Sequence, residues 1–208
     1  MTELHTPVGV EHVQHLNAAL AGITPAVETA TRWGRELAGR LSGGARLVAA
    51  GNGGSAAQAA HLTAELVGRY RDDRRPFSAV ALHAEVSALT AITNDYGQEE
   101  GFARQLEAHA RPGDVAVLLS TSGGSANVVR AAQRARDCGV TCWAMTGRGP
   151  NALTEAADDH VSVDSPFTAT VQELHLVALH IMCAALDLEL GVIPSKAERA
   201  GAASGSYA

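Results

Sequence analysis

The chain has 208 residues, enough for one domain with a helical extension. Sixteen Lys and Arg against 22 Asp and Glu leave a net charge of −6, which excludes a long basic stripe for nucleic-acid phosphates. With 46% hydrophobic and 18% charged residues the chain can bury a core, and aromatics at 4% leave that core to Ala, Val and Leu.

In chain order, residues 10–42 read as two helices, with Val13, Leu16 and Leu20 on one apolar face. Thr24 and Pro25 restart the helix as N-cap and first helical residue, and Gly43 and Gly44 end it. From there short apolar runs alternate with helical patterns. Strands are expected at 45–50, 78–82, 114–120, 140–146 and 160–163. Helices are expected at 56–70, 86–93, 98–110, 126–138, 150–157 and 167–190. This alternation predicts an α/β fold, a three-layer α-β-α sandwich around a five-stranded parallel sheet with N-terminal helices added. The expected division is a helical extension over 1–42, the domain over 43–191 and a flexible C-terminal tail over 192–208.

Cys138, Cys142 and Cys183 are an odd set without paired spacing, so they read as reduced, mostly buried thiols. The first residues, MTELHTPVGVEHVQHL, hold no basic region followed by an apolar run. No uncharged apolar stretch approaches the ~20 residues that span a bilayer. The expectation is a cytoplasmic protein with neither membrane nor nucleic acid as partner.

Two Ser/Gly turns lie at strand carboxyl ends, where doubly wound sheets bind ligands. The first, Gly51-Asn52-Gly53-Gly54-Ser55, matches neither GxGxxG nor the P-loop with its Lys. The second, Ser120-Thr121-Ser122-Gly123-Gly124-Ser125, offers four hydroxyls beside a helix N-terminus. Glycines let backbone N–H groups approach an anion, and the helix start adds positive potential. With no Lys or Arg in either turn, the ligand expected is a single phosphate held by amides and hydroxyls. Either turn alone could be no more than a capped tight turn.

GNGGSAAQAAHLTAELVGRY, TNDYG, LSTSGGSANV and VQELHLVALH resemble the sugar isomerase (SIS) domain family, and within it the phosphoheptose isomerases. The resemblance implies a flavodoxin-like five-stranded sandwich that assembles as a homotetramer, with active sites between subunits. It also implies conversion of D-sedoheptulose 7-phosphate to D-glycero-D-manno-heptose 7-phosphate through an enediol. His61 and Glu65, four apart on a helix, share one face; Gln172 and His180 flank the stripe Leu176, Leu179 and Cys183. By resemblance those four bind zinc, and Glu65 and His180 carry catalysis. Moving a proton between C1 and C2 needs a base and a partner acid, and these two residues suit either assignment.

The resemblance further makes Asn52, Gly53, Gly54, Ser55, Glu65, Asn94, Asp95, Ser120, Thr121, Ser122, Ser125 and Gln172 substrate contacts. Asn94 and Asp95 alone would read as the end of a helix and a turn. His83, His109, His160 and His175 read as surface or packing histidines, and Arg69–Arg75 as a solvated mixed-charge loop. The chain departs from its relatives at Gly124, and at Ala169 and Thr170, which remove polar groups from near the expected sugar chain. Two other readings share the turns: a non-catalytic SIS-domain scaffold that binds a replication initiator, and an isomerase of another phosphosugar. The scaffold relatives lack the Glu and His that stand here as Glu65 and His180.

Overall fold

The computed structural model describes residues 8–193. Five strands form one all-parallel sheet in the order β2-β1-β3-β4-β5. These are β1 (Leu47–Gly51), β2 (Ala79–Ala81), β3 (Val115–Ser120), β4 (Thr141–Thr146) and β5 (Asp159–Ser162). Every residue of β1 and β3 is buried, as expected of central parallel strands covered on both faces. The register sets Val48 beside Val80 and Ala116, and Leu118 beside Ala144.

The helices are α1 (Val8–Leu20), α2 (Thr24–Ser42), α3 (Gly54–Val67), α4 (Val86–Tyr96), α5 (Glu100–His109), α6 (Ala126–Asp137), α7 (Ala152–Ala156) and α8 (Thr168–Glu189). One sheet face packs Leu47, Ala49, Val115, Val117 and Leu119 against α2, α3 and α8. The other packs Val48, Ala50, Ala116 and Leu118 against α5, α6 and α7. The alternation of side chains along each strand therefore feeds two cores. Trp33 of α2 and Trp143 of β4 stack with ring centroids 4.9 Å apart, so α2 shares the main core, whereas Leu16 and Ala19 of α1 pack against a smaller cluster of Val163, Val171 and Leu174. Phe, Tyr and Trp are few, and this pair fills the space the small residues leave.

Several boundaries differ from the sequence reading. Ile23, not Thr24, occupies the N-cap position of α2, and the helix starts at Thr24 with Pro25 in its first turn. α3 starts at Gly54 and so includes the end of the first glycine turn. Asn94 and Asp95 lie inside the last turn of α4 and do not follow it. In the expected C-terminal tail, Val192 and Ile193 fold back on Asp187 through backbone hydrogen bonds, with Ile193 buried; residues 194–208 lie outside the described residues. α8 is long and apolar enough to cross a bilayer by length and composition, but 56% of its most apolar window is buried inside the fold.

In the order β2-β1-β3, the chain leaves β1 toward one edge and returns to build the other half of the sheet from β3. That reversal opens a crevice at the carboxyl ends of β1 and β3. Both glycine turns sit there.

Candidate active site

Local geometry of the turns follows from their composition. Gly53 has φ +53°, a left-handed conformation that favours glycine, and it delivers the chain into α3. A Cβ on Gly54 would sit 2.5 Å from Gln172 Nε2, so only glycine lets the Gln172 amide lie over the start of α3. Gln58 Nε2 donates to the Gln172 carbonyl and fixes α8 there. In the second turn, Ser120 Oγ lies 2.9 Å from Ser125 Oγ and 3.4 Å from Ser122 Oγ. Neither α3 nor α6 has a side-chain cap on its first amides, although Ser125 occupies the N-cap of α6. Two helix starts thus leave N–H groups open beside three clustered hydroxyls, the arrangement an anion requires.

A cavity of about 290 Å³ opens between the turns, lined by Asn52, Gly53, Gly54, Ser55, Ser120, Thr121, Ser125, Thr168 and Gln172, with Leu119 at its base. None of these side chains is charged. A second hollow of about 740 Å³ shares Asn52 and Ser125 with it and extends along Tyr96–Glu100 and Ala126–Asn127. Asn52 and Asn127 exchange reciprocal amide hydrogen bonds of 2.9 Å on their common wall.

Two turns further along α3 and α8 lie the titratable groups. His61 Nε2 is 3.0 Å from His180 Nε2 and 3.2 Å from Glu65 Oε1. One ligand atom from each of the three lies within 4.8 Å of the others. Glu65 Oε2 is buried without a hydrogen-bond partner. Two imidazoles and a carboxylate with an orphaned oxygen form a donor set suited to a divalent cation. The separations are close to the ~3.3 Å between two ligands of a tetrahedral ion with bonds of about 2.0–2.1 Å. Without a cation the same groups can hold and pass protons. Tyr70 packs 5.7 Å from the His180 ring, and burial pushes its phenol pKa up.

The sequence-predicted residues therefore fall into four groups. His61, Glu65 and His180 come together. Gln172 stands with Asn52, Gly53, Gly54, Ser55, Ser120, Thr121 and Ser125 around the uncharged cavity, eight residues or ~12 Å along α8 from His180. Ser122 is exposed, and its hydroxyl accepts from the Gly124 amide without lining that cavity. Asn94 and Asp95 are exposed, bond each other at 2.8 Å and line neither cavity.

Two expectations are corrected. Thr170 is fully buried and faces the core, so it takes nothing from the ligand's surroundings; the residue one turn before Gln172 that reaches the cavity is Thr168. Arg74 is no part of a solvated face: its side chain is 3% exposed and pairs at 3.0 Å with Asp187, itself 0% exposed.

His109, His160 and His175 pack or face solvent as expected, and His83 is half-buried with its Nδ1 lacking a partner among the described residues. His175 is buried, with Nε2–H donating to the Thr146 carbonyl at 3.1 Å, and burial pushes its pKa down to about 4. His109 and His160 are exposed. All three cysteines are free, and burial pushes the Cys142 and Cys183 thiols up to about 12. Sequence reasoning missed Asn127 and Thr168. Asn127 carried no signal, whereas Thr168 could have been found from its i, i+4 spacing to Gln172.

Comparison with known proteins places these features in a family. Residues 13–147 match the model of the SIS domain. The chain is 57% identical over 205 residues to a phosphoheptose isomerase of Streptomyces coelicolor, covering 99% of this chain and 87% of that protein. A phosphoheptose isomerase of Mycobacterium bovis is 49% identical over 154 residues, 74% of this chain and 79% of that one. Among solved structures, phosphoheptose isomerase GmhA from Neisseria gonorrhoeae superposes with a TM-score of 0.76 at 36% identity, over 86% of this chain and 94% of that one. A phosphoheptose isomerase from Francisella tularensis gives 0.76 at 30% identity, over 85% and 92%. With its uncharged cradle at the β1/β3 crevice and its His–Glu–His cluster between α3 and α8, the chain belongs to the phosphoheptose isomerases of the SIS-domain family.

Proposed function

We propose that this protein is a ketose–aldose isomerase that converts D-sedoheptulose 7-phosphate to D-glycero-D-manno-heptose 7-phosphate. The observation that carries this reading is one seam between α3 and α8 with an uncharged anion cradle at one end and His61, Glu65 and His180 about 12 Å away. An extended seven-carbon sugar spans on the order of 10 Å from C1 to its phosphate at ~1.5 Å per C–C bond. The phosphate fits the cradle of Ser55, Ser120, Thr121 and Ser125 with the Gly53 and Gly54 backbone, while Asn52 and Gln172 meet the middle of the chain.

At the far end the reaction is a proton relay. A base removes a C1 proton from the ketose, giving a C1–C2 enediol, and a proton is returned to C2 while the hydroxyl proton moves from O1 to O2. Glu65 and His180 are the acid–base pair, in one assignment or the other, and Tyr70 closes one side of the site against water. His61, Glu65 and His180 are the proposed zinc ligands; Gln172, the fourth expected, stands at the cradle end of the seam. Zinc held there supplies a Lewis acid to the sugar oxygens.

The reading also includes a cytoplasmic homotetramer whose sites are completed between copies. α4 supports this: none of its residues is buried, yet it carries Val86 and Tyr96 exposed beside Asn94 and Asp95. α1 likewise leaves Val10, Val13 and Leu20 exposed. A second copy covering α4 would bury these and bring Asn94 and Asp95 to a substrate.

Turnover of sedoheptulose 7-phosphate against other ketose phosphates, with metal content measured on protein purified without chelator, tests the assignment. A preference for the heptulose and about one zinc per chain support it. A preference for another phosphosugar contradicts the substrate, and metal-free protein with full activity contradicts the zinc. Light scattering that gives a monomer contradicts the shared site.

A further inference from the structure

The loop after α3 sends one side chain back beneath the titratable cluster. Arg74 Nε donates to Asp187 Oδ1 at 3.0 Å. Its Nη1 donates to the carbonyl of Leu66 at 3.0 Å and to that of Arg75 at 3.1 Å. Its Nη2 donates to the carbonyl of Glu65 at 2.6 Å. Glu65 and Leu66 belong to the last turn of α3, whose carbonyls have no partner within the helix. A guanidinium there satisfies them, and its charge sits well at the negative end of the helix dipole. Asp187 comes from α8, seven residues after His180, two turns on and on the same helix face.

We propose that Arg74 and Asp187 are positioning residues for the acid–base and metal-binding groups: through one buried guanidinium they lock the turn of α3 that carries Glu65 to the face of α8 that carries His180. α3 and α8 then meet at three levels, Gly54 with Gln172, His61 and Glu65 with His180, and Arg74 with Asp187. The first level is a packing contact and the third is an ion pair with no room to slide. The cluster between them inherits its spacing from both. Arg suits the task because its planar fork can serve Asp187 and three carbonyls at once, which an ammonium on a flexible stem cannot.

The metal part of the inference rests on the reading of His61, Glu65 and His180 as cation ligands. The test therefore has a readout independent of metal. Arg74→Lys keeps a positive charge opposite Asp187, so no buried charge is left unpaired. The full chain carrying this change should melt near the wild type and bind Zn²⁺ about 10- to 100-fold more weakly in competition with a chelator. Its Co²⁺-loaded form should show altered visible absorption bands, and kcat should fall while KM stays within about twofold. In metal-free protein, amide hydrogen exchange in the last turn of α3 should quicken while that of the central strands does not.

If Arg74→Lys does not fold, Arg74→Met combined with Asp187→Leu replaces the pair by apolar groups of similar size and carries the same expectations. Wild-type zinc affinity, cobalt spectrum and kcat in a folded variant would overturn the proposal. If the wild type itself binds no zinc, the cation reading fails. The exchange data then decide the lock, faster exchange supporting it and unchanged exchange overturning it.

Discussion

The two ends of the α3–α8 seam are built in opposite ways. At the sheet crevice the donors are backbone amides and hydroxyls with no charged side chain among them. At the His61–Glu65–His180 cluster every group can change its charge. Anchoring a phosphate with fixed dipoles leaves it bound whatever the neighbouring groups do. Moving a proton requires groups that gain and lose one near working pH. On the proposed assignment, the ~12 Å between the two ends would let the chemistry titrate without loosening the anchor.

The sharpest way to break this division is at its charged end. Glu65→Gln keeps the shape and removes the carboxylate, so kcat should fall by about 10²- to 10⁴-fold, with KM for the phosphosugar nearly unchanged. Equal losses in kcat and in substrate affinity would merge the two ends into one.

Next in size is a pH effect on the fold, from a histidine on the same helix as His180 to which the proposed chemistry gives no part. Folding depresses His175 from an ordinary 6.5 to about 4 by burial. Between those values the unfolded chain binds a proton that the folded one refuses, so stability should fall as pH drops from about 6.5 to about 4. The loss is about 3 kcal/mol at full effect. His175→Met should flatten that slope in denaturant melts at pH 7, 5 and 4; identical slopes would show that another group carries it.

At the uncharged end, Ser125→Ala removes a hydroxyl that lines the cavity beside Ser120. One hydrogen bond to a charged group is worth about 1.5–3 kcal/mol, so KM should rise by at least about tenfold with kcat little altered. The smallest effect belongs to Ser122→Ala. That hydroxyl accepts from the Gly124 amide and lines no part of the cradle, so KM should change by less than about threefold. A larger effect at Ser122 than at Ser125 would move the phosphate out of the cavity and onto the outer side of the turn.

What could be read from the sequence was what local spacing encodes. The apolar runs of β1 and β3 mark buried parallel strands, and the glycine clusters after them mark the turns. The i, i+4 spacing of His61 and Glu65 puts both on one helix face. Other features depend on contacts that no local pattern records. Arg74 lies in a run of five charges and reads as solvated, yet it finds Asp187, 113 residues away. Asp187 itself interrupts the apolar end of α8, and a lone acid in such a stripe was the trace of a buried partner. Thr170 reads as a neighbour of Gln172 in sequence, but the helix turns it 200° away and into the core. The strand order that puts both glycine turns at one crevice is a property of topology, and only the sheet reveals it.

The reaction proposed for Glu65 and His180 is proton transfer through an enediol. Its most direct test is sedoheptulose 7-phosphate with the zinc-supplemented protein in deuterated water, followed by NMR. A new aldose phosphate carrying deuterium at C2 is expected, lost in Glu65→Gln and in His180→Gln. A folded, metal-supplemented protein that gives neither product nor exchange, or variants that exchange as fast as the wild type, would contradict it.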